Sequence, residues 1–509
     1  MKLQAFIFCG SGGKLSPFVQ PQVHHGVSNG LPKALLPVGN RAMLEYVLDW
    51  CDQAAFTEIH VVAWHEEIEQ IQEGLLPYLN LRSEQFELVA KSLTQSYHSH
   101  HLHKPKQINF IASKCNTTGE SFQKELLEKI TGDFVLLPCD FITDIPPQIL
   151  IDQFSNRDDD NVAMTVYYKN SMENIDKKQM GKQFFTIYSE NSETDKQPVL
   201  LDVYAKDDVA KTKYLQIRNH MLWRYPNATV STKLLNSFIY FCTYDLVKLL
   251  SVDDSNDKNN NGDSTNEDET NDVQPIDLTE IKPRYFKKDS KLIKDQINCK
   301  RSLAKIFRDL GRRSWQHSEE RETLGIFILP DVSSFIRGNN LNSYMESNRY
   351  ILKIKAQSAT KHGQTNASSS AIGVDSVVGQ RCTIMEKSNI KMSAIGQGCK
   401  IGKRCRIAGS ILLPNVEVED DVILENVIIG PHAKIEKKSK LTNCYVEGYY
   451  VVEQRSTLKG ETLTKTHIDS EDEVSSNVAY SSSGEEDSEE YSDNYYDDEE
   501  FEDDGLFER

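Results

Sequence analysis

The sequence predicts an α/β protein in which a sheet domain is followed by a parallel β-helix and an acidic tail. Three observations support this. Short apolar runs alternate with helical patterns through the first 250 residues, an apolar residue then recurs every six positions from 372 onward, and the last forty or so residues are rich in acidic residues. Each pattern occupies its own part of the chain, so we treat them as separate units.

The N-terminal part reads as βαβ units. Five runs look like buried strands, namely LQAFIF, IHVVAW, INFIAS, DFVLLPC and VAMTVYY. Between them, stretches such as AMLEYVLDWCDQA carry apolar residues at helical spacing. This alternation is typical of a Rossmann-like, mostly parallel sheet, which binds ligands at the carboxyl ends of its strands. We expect this domain to span 1–356, with a disordered insert at 252–275.

A different period begins after a Gln/Ser/Asn-rich linker at 357–370. A fixed apolar position every six residues is typical of a left-handed parallel β-helix, in which each coil buries one side chain per short face. We expect this β-helix to span 371–458. The residues that carry the period are Ile372, Val378, Ile384 and Ile390, then Ile395, Ile401 and Ile407, then Val416, Val422 and Ile428, then Ile429, Ile435 and Leu441.

The net charge of −18 is concentrated in two segments. Residues 469–509 contribute −17 and residues 253–272 contribute −7, so the remaining chain carries +6. Segments this polar cannot bury a core, which predicts disorder in the insert and in a tail at 459–509. The mildly basic remainder suits an anionic partner but does not identify one.

The cysteines and the hydropathy exclude several classes of protein. The ten cysteines are scattered without a CxxC pair or a zinc-type spacing, so we expect reduced thiols and neither a disulfide framework nor structural zinc. The first apolar stretch is too short for a signal peptide, and no run of apolar residues could span a membrane. We therefore expect a soluble protein of the cytosol without a membrane partner.

A glycine cluster at the end of the first strand is the candidate ligand site. In FIFCGSGGKLSPF, Gly10, Gly12 and Gly13 free the backbone to curl around a phosphate, and Lys14 and Lys33 could add charge. Such turns are common after strands, so a purely structural turn remains an alternative.

Two stretches, CGSGGKLSPF and LPKALLPVGNRAMLEYVLDW, resemble the nucleotidyltransferases that activate sugar 1-phosphates, whose signature is G-x-G-T-R-L-x-P followed by P-K-x-L-x-P-V. In the positions of the family's threonine and arginine stand Gly13 and Lys14. A lysine offers a mobile point charge instead of a planar fork of donors, so the exchange weakens a triphosphate clamp. The resemblance therefore implies a degenerate nucleotide loop with no catalytic residue and no cofactor.

The same resemblance implies a metal-binding aspartate at the end of a strand, and Asp140 in FVLLPCDFITD stands in that place. Asp144 follows one turn later, but no second metal-binding carboxylate can be recognised before residue 250. We therefore predict no metal site, with Asp140 as its vestige. A capping or solvated strand-end role, a decayed nucleotide site and a working catalytic site all remain open for Asp140.

Three further stretches have chemical potential and simpler interpretations. The histidines of HSHHLHKP lack acidic or cysteine companions and favour a polar loop over a metal site. A solenoid corner is the simpler role for His432, although hexapeptide acyltransferases use a histidine in catalysis. The basic and aromatic stretches KPRYFKK (282–288) and GRRSWQHS (311–318) carry no nucleic-acid fingerprint, so we expect no direct nucleic-acid binding.

A closer resemblance runs nearly end to end. GDFVLLPCDFITDIPP, VSTKLLNSFIYF, VILENVIIGP and the terminal EDDGLFER are similar to the gamma-subunit family of eukaryotic translation initiation factor 2B, in a yeast-like version. The resemblance implies a non-catalytic subunit that pairs with an epsilon subunit, within a complex that also holds alpha, beta and delta subunits. It further implies support of GDP-for-GTP exchange on initiation factor 2. The alternative is an active sugar-1-phosphate nucleotidyltransferase, similar to mannose-1-phosphate guanylyltransferase.

The acidic tail contains candidate phosphorylation sites. Ser470, Ser488 and Ser492 are surrounded by acidic residues, as the substrates of acid-directed kinases are. Phosphate would add to the negative charge of the tail. A solubilising role is the simpler interpretation of the segment.

Overall fold

The computed structural model describes residues 3–19, 23–24, 27–28, 30–93, 105–170, 183–190, 197–250, 297, 299–316, 322–361 and 372–465. The insert at 252–275, most of the tail and the histidine-rich stretch at 98–103 lie outside these residues. Within them no helix is long and apolar enough to cross a membrane. All ten cysteines are described, and they are free thiols, as predicted.

The N-terminal part is built from sixteen strands and nine helices within the described residues. The strands are β1 (Leu3–Phe8), β2 (Val23–His24), β3 (Val27–Ser28), β4 (Pro37–Val38), β5 (Arg41–Ala42), β6 (Phe56–Trp64), β7 (Ile108–Ser113), β8 (Asp133–Pro138), β9 (Phe141–Thr143), β10 (Asn161–Lys169), β11 (Phe184–Ser189), β12 (Val199–Ala205), β13 (Ala228–Ser231), β14 (Leu234–Cys242), β15 (Thr323–Ile328) and β16 (Phe335–Arg337). The helices are α1 (Met43–Asp52), α2 (Ile68–Leu93), α3 (Thr118–Ser121), α4 (Pro147–Ser155), α5 (Lys206–Thr212), α6 (Asn219–Arg224), α7 (Asp245–Leu250), α8 (Leu303–Gln316) and α9 (Leu341–Lys361).

Ten strands form one sheet, in the order β13-β11-β12-β15-β10-β14-β8-β1-β6-β7. The joins from β8 through β1 and β6 to β7 are parallel, as is the pair β10 and β15. The remaining joins are antiparallel, so the sheet is mixed. Only nine residues separate the end of β11 from the start of β12, fewer than the crossover connection of a parallel pair needs. The α/β class is confirmed, and the candidate loop follows β1 in the parallel half.

The C-terminal part is a stack of coils with three parallel sheets, which confirms the β-helix. Face A is the sheet β17-β20-β23-β26-β29-β32, face B is β18-β21-β24-β27-β30, and face C is β19-β22-β25-β28-β31. The strands are β17 (Val377–Val378), β18 (Thr383–Ile384), β19 (Asn389–Lys391), β20 (Ala394–Ile395), β21 (Lys400–Ile401), β22 (Arg406–Ala408), β23 (Ile411–Leu412), β24 (Glu417–Val418), β25 (Ile423–Glu425), β26 (Ile428–Ile429), β27 (Lys434–Ile435), β28 (Lys440–Thr442), β29 (Tyr445–Val446), β30 (Val451–Val452), β31 (Thr457–Lys459) and β32 (Thr462–Leu463).

Each coil is one residue shorter than three six-residue repeats. Stacked residues such as Asn426 and Asn443 are 17 positions apart, and the left-handed corner residues recur at the same interval. The interior column on face A is therefore Ile395, Leu412, Ile429 and Val446. This corrects the predicted register of the third coil, whose in-register residues are Leu412, Val418 and Leu424 instead of Val416, Val422 and Ile428.

The outer side of face A packs against the N-terminal part. Ile411, Leu413 and Ile428 share an apolar cluster with Tyr344 and Met345 of α9. This outward position explains why Ile428 does not belong to the interior column. Helix α9 continues to Lys361, inside the stretch interpreted as a linker, and the last strand ends at Leu463, beyond the predicted limit of 458.

Hydrogen bonds reinforce this interface on both sides of α9. Tyr344 donates to the carbonyl of Pro37 at 2.5 Å, and Arg349 donates to the side chain of Asn426 at 2.9 Å. Asn40 also reaches the solenoid directly, donating to the carbonyl of Ile395 at 2.7 Å. Helix α9 therefore connects the two folded parts through side chains on opposite faces.

Candidate functional site

The glycine loop lies at the carboxyl end of β1, as the sequence predicts. Gly12 has a φ of 72°, and a Cβ added there would lie 3.0 Å from Val19 and 3.1 Å from Lys33. Gly13 begins a 3₁₀ turn, and a Cβ there would meet nothing within 4 Å. The loop therefore needs glycine at 12 for its own packing, and it is open at 13.

The predicted loop residues do not converge on one space. Lys14 lies on the surface, while Lys33 is buried with 1% of its area exposed. The backbone N–H of Gly10 interacts with the thiol of Cys139. The pKa of this thiol is lowered mainly by a hydrogen bond with Cys9 and also by the Gly10 N–H. One N–H that a phosphate cradle would use is thus engaged inside the protein.

The buried end of the site is an ion cluster centred on Asp140. Lys33 Nζ lies 2.7 Å from Asp140 Oδ2, and it also donates to the side chain of Asn339. Arg337 donates to both carboxylate oxygens, through Nε to Oδ1 at 3.0 Å and through Nη2 to Oδ2 at 3.1 Å. The guanidinium also stacks on the ring of Phe238, 4.4 Å from its centroid. Two cations therefore neutralise one fully buried carboxylate.

The electrostatics keep this carboxylate ionised. Burial by itself raises the pKa of Asp140, but the charges of Arg337 and Lys33 and their hydrogen bonds outweigh burial and lower it to about 2. A buried charge is tolerable only when it is paired and hydrogen-bonded in this way. Asp140 is therefore ionised over the physiological pH range, and the cluster of Asp140, Lys33 and Arg337 has a net positive charge.

The donor set around Asp140 does not fit a divalent cation. Both carboxylate oxygens already accept from cationic donors, and a metal ion would need them as ligands. Asp144 is exposed and accepts from the backbone N–H of Ser334 at 2.9 Å, so it serves the loop before β16. Across the described ranges, no group of three or more His, Cys, Asp or Glu residues could hold a metal ion.

Sequence reasoning missed two members of the cluster, Arg337 and Asn339. They reach Asp140 because β16 pairs with β9, which sets Arg337 opposite Phe141. The two partners of the Arg337 to Asp140 hydrogen bond are 197 residues apart in the chain. The only local signal is the apolar pair before Arg337 in SSFIRGNN, which indicates a short strand but not its partner.

A cavity of about 1320 Å³ lies elsewhere, between helices α1 and α2 and the solenoid. Its lining includes none of the predicted loop residues. Several of its charged groups pair with each other, since Arg41 contacts Asp49 at 2.6 Å and the Arg82 guanidinium is paired with Asp52. A ligand that used these charges would have to displace the pairs.

The other sequence candidates have structural roles where they are described. His432 occupies a left-handed corner at a φ of 59° and stacks on Tyr449, 4.6 Å between ring centroids. In GRRSWQHS, Arg313 and Trp315 are buried in α8, so they present no basic aromatic surface. KPRYFKK and the three tail serines lie outside the described residues.

The comparisons with known proteins agree with the fold. Residues 357–476 match the family model described as the EIF2B subunit epsilon LbH domain, which identifies the solenoid as a left-handed β-helix. The chain is also 28% identical over 472 residues to the translation initiation factor eIF2B subunit gamma of Schizosaccharomyces pombe. That alignment covers 91% of this chain and 90% of the relative.

The chain is similar to an eIF2B gamma subunit over most of its length.

The predicted resemblance to the gamma-subunit family is thereby confirmed. The matched region includes both folded parts, because 91% of the chain cannot be covered by either part alone. The match extends to the fold class as well, since the solenoid that the six-residue period predicts is the domain that the family model describes. The gamma-like chain thus carries its ion cluster in the sheet domain and a β-helix behind it.

Proposed function

We propose that this chain is a non-catalytic, gamma-type subunit of a translation initiation factor 2B complex. In this proposal it pairs with an epsilon-type subunit in the cytosol, in an assembly with alpha, beta and delta subunits. It then promotes the release of GDP and the binding of GTP by initiation factor 2. The observation that carries the proposal is the match to an eIF2B gamma subunit along 91% of the chain.

The ion cluster supports the non-catalytic part of the proposal. Nucleotidyl transfer needs a carboxylate that can hold Mg²⁺ and cations that are aimed at the triphosphate. Here Asp140 is bound to Lys33 and Arg337, so the three charges satisfy each other. To recruit a metal, the protein would have to separate a buried ion pair, which costs several kcal/mol.

A non-catalytic subunit can accelerate exchange without covalent chemistry. An assembly that binds nucleotide-free initiation factor 2 more tightly than the GDP form weakens GDP binding by the same factor. A rigid partner contributes by adding contact area to that state and by fixing the orientation of the exchange-active subunit. The contact between face A and α9 supports such rigidity, because it ties the solenoid to the sheet domain.

The decisive experiment measures GDP release from initiation factor 2. We expect the epsilon-type subunit with this chain to release labelled GDP faster than the epsilon-type subunit alone, and this chain alone to have no effect. Co-purification of the two subunits at one-to-one stoichiometry is the companion measurement. No acceleration by a properly paired complex would overturn the proposal.

The enzymatic alternative is tested separately with mannose 1-phosphate, GTP and Mg²⁺. We expect no pyrophosphate release above background. Turnover that disappears in the Asp140→Asn variant would instead establish a working nucleotidyltransferase. The exchange assay and this assay fail independently, so each part of the proposal can be rejected by itself.

A further inference from the structure

The three faces of the solenoid differ sharply in charge. We extend face C to include the three residues before each of its strands, that is 386–391, 403–408, 420–425, 437–442 and 454–459. This surface carries ten Lys or Arg residues and four Asp or Glu residues, a net charge of +6. The ten cations are all exposed, and they are Lys387, Lys391, Lys403, Arg404, Arg406, Lys437, Lys438, Lys440, Arg455 and Lys459.

Most cations of face C lack an ion-pair partner among the residues that the structure describes. Arg404 pairs with Asp421 at 2.5 Å, and Arg406 lies 3.7 Å from Glu425. The other eight form no salt bridge within that part of the chain. Lys387 and Arg404, and likewise Lys438 and Arg455, occupy equivalent corners of neighbouring coils. Because such coils are about 4.8 Å apart, these like charges repel each other, and an anion that covered them would relieve the repulsion.

Face B provides the internal comparison. Counted over the same length, six residues per coil at 380–385, 397–402, 414–419, 431–436 and 448–453, it holds three cations. Lys400 pairs with Glu417 at 2.6 Å and Lys434 with Glu419 at 3.0 Å, whereas Arg381 forms no salt bridge among the described residues. Face B also carries Glu436 and Glu453, so its net charge is −1. The unpaired positive charge is therefore concentrated on face C.

The chain itself contains a matching anion. Between Asp469 and Arg509 there are eighteen Asp or Glu residues and one Arg, with the densest stretch at 485–504. This tail follows directly after β32, at the end of the same solenoid. Its attachment gives it an effective concentration near face C of about 1 mM, so even weak contacts can be occupied.

The distances permit the contact. Five stacked coils span about 20–25 Å, since neighbouring strands are about 4.8 Å apart. The nineteen residues from 466 to 484 can extend by up to roughly 60 Å. The stretch 485–504 can therefore reach every coil of face C. Tyr491, Tyr495, Tyr496 and Phe501 in this stretch could also lie along the lysine stems.

We propose that residues 485–504 of the acidic tail bind face C of the β-helix and keep other polyanions away from it. The contact is electrostatic and exchangeable, because the surface charges remain hydrated. Phosphate on Ser488 or Ser492 would strengthen it by adding negative charge within the same stretch. The proposal does not depend on the exchange activity of the complex.

The first test is zero-length carbodiimide cross-linking of the full chain in its native complex. We expect carboxylates of 485–504 to link to Lys391, Lys440 and other lysines of face C, and much less to Lys400 and Lys434 of face B. Links that are spread evenly over both faces, or that favour the sheet domain, would contradict the proposal.

The second test measures binding of a fluorescent oligouridylate by fluorescence anisotropy. In a full-length variant with the Asp and Glu residues of 485–504 changed to Asn and Gln, we expect roughly tenfold tighter binding than in the wild type at low salt. Adding Lys391→Glu, Lys440→Glu and Lys459→Glu should abolish the gain. The matched control adds Lys114→Glu, Lys213→Glu and Lys233→Glu, exposed on the sheet domain, and should keep it.

Two outcomes would overturn the inference. If neutralising the tail leaves oligouridylate binding unchanged, the tail does not cover face C. If the wild-type chain already binds the probe as tightly as the neutral-tail variant, and the face C substitutions abolish that binding, the face is an open nucleic-acid surface.

Discussion

The ion cluster at Asp140 and face C of the solenoid differ in how their charges are compensated. At Asp140, two cations and a carboxylate are buried and satisfy each other within hydrogen-bond distance. On face C, eight of ten exposed cations have no salt bridge inside the described part of the chain. A buried charge is tolerated only when it has a partner inside the fold. An exposed charge is hydrated and can bind a partner from solution. The ion cluster at Asp140 therefore contributes to stability, whereas the cations of face C remain available to bind an anionic partner.

The sharpest way to test this contrast is to remove the buried anion. Asp140→Ala leaves Lys33 and Arg337 as uncompensated buried cations, and we expect a loss of about 3–5 kcal/mol in the free energy of unfolding. Chemical denaturation followed by fluorescence measures it. The control is Asp144→Ala, which loses one exposed hydrogen bond and should cost about 1 kcal/mol or less. Equal losses of unfolding free energy in the two variants would show that the buried ion cluster stabilises the protein no more than one exposed hydrogen bond does.

A second comparison sets the covered face of the solenoid against an open one. Ile411 is 3% exposed between face A and α9, so Ile411→Ala should cost about 2–4 kcal/mol through lost contacts and a cavity. Val451 on face B is 50% exposed, and Val451→Ala should change stability by about 0.5 kcal/mol or less. Similar values for the two variants, measured by denaturation, would mean that face A is not an energetic interface.

The pH dependence of the free energy of unfolding tests the contribution of Asp140 without creating a cavity. The pKa of Asp140 in the folded protein is lowered from 3.8 to about 2, so its stabilisation is fully present above about pH 4 and is lost as the pH falls toward 2. We expect this to contribute about 2 kcal/mol to the decline. The Asp140→Asn variant should show a shallower decline in acid denaturation. An unchanged slope would indicate that Asp140 does not carry this linkage.

Two glycine-to-alanine substitutions in the glycine loop form a matched pair, and their expected effect on stability is smaller. Gly12→Ala needs a left-handed backbone and brings Cβ within 3.1 Å of Val19 and Lys33, which should cost about 1–2 kcal/mol. Gly13→Ala meets nothing within 4 Å and should be within about 0.5 kcal/mol of the wild type. Thermal unfolding distinguishes the two. A large effect at Gly13 would point to a packing role that the open space does not suggest.

The smallest expected effect is on face C. Lys391→Ala removes an exposed cation without a salt-bridge partner in the described residues, so unfolding should change by less than about 0.5 kcal/mol. Its consequence should appear instead in the salt dependence of polyanion binding. Clear destabilisation on denaturation would show that the exposed cation has a structural function.

Much of the fold could be predicted because its signals are local. The apolar runs LQAFIF and DFVLLPC identified two strands, β1 and β8, which pair in parallel in the structure, and the six-residue period identified the β-helix. The register of the third coil was wrong for a physical reason. Val416 and Val422 lie between strands but are also buried in the solenoid core, so they share the apolar character of the interior strand positions. Face A is apolar on its outer side as well as its inner side, so Ile428, which faces α9, resembles an interior residue in the sequence.

The site was harder to predict, since its chemistry depends on contacts between distant segments. Asp140 was identified at its strand end, but nothing local indicates that Arg337 would reach it across 197 residues. The burial of Lys33 was equally hidden, because lysine is rarely buried unless it is paired. The substitutions at Gly13 and Lys14 indicated a weakened nucleotide loop, whereas the paired carboxylate beneath it is visible only in three dimensions.

Helix α9 gives the molecule a mechanical property. Its side chains contact the carbonyl of Pro37 on one side and the corner residue Asn426 on the other, so it acts as a wedge between the sheet domain and the solenoid. Because these contacts tie α9 to both parts, we expect the solenoid and the segment around Pro37 to move together.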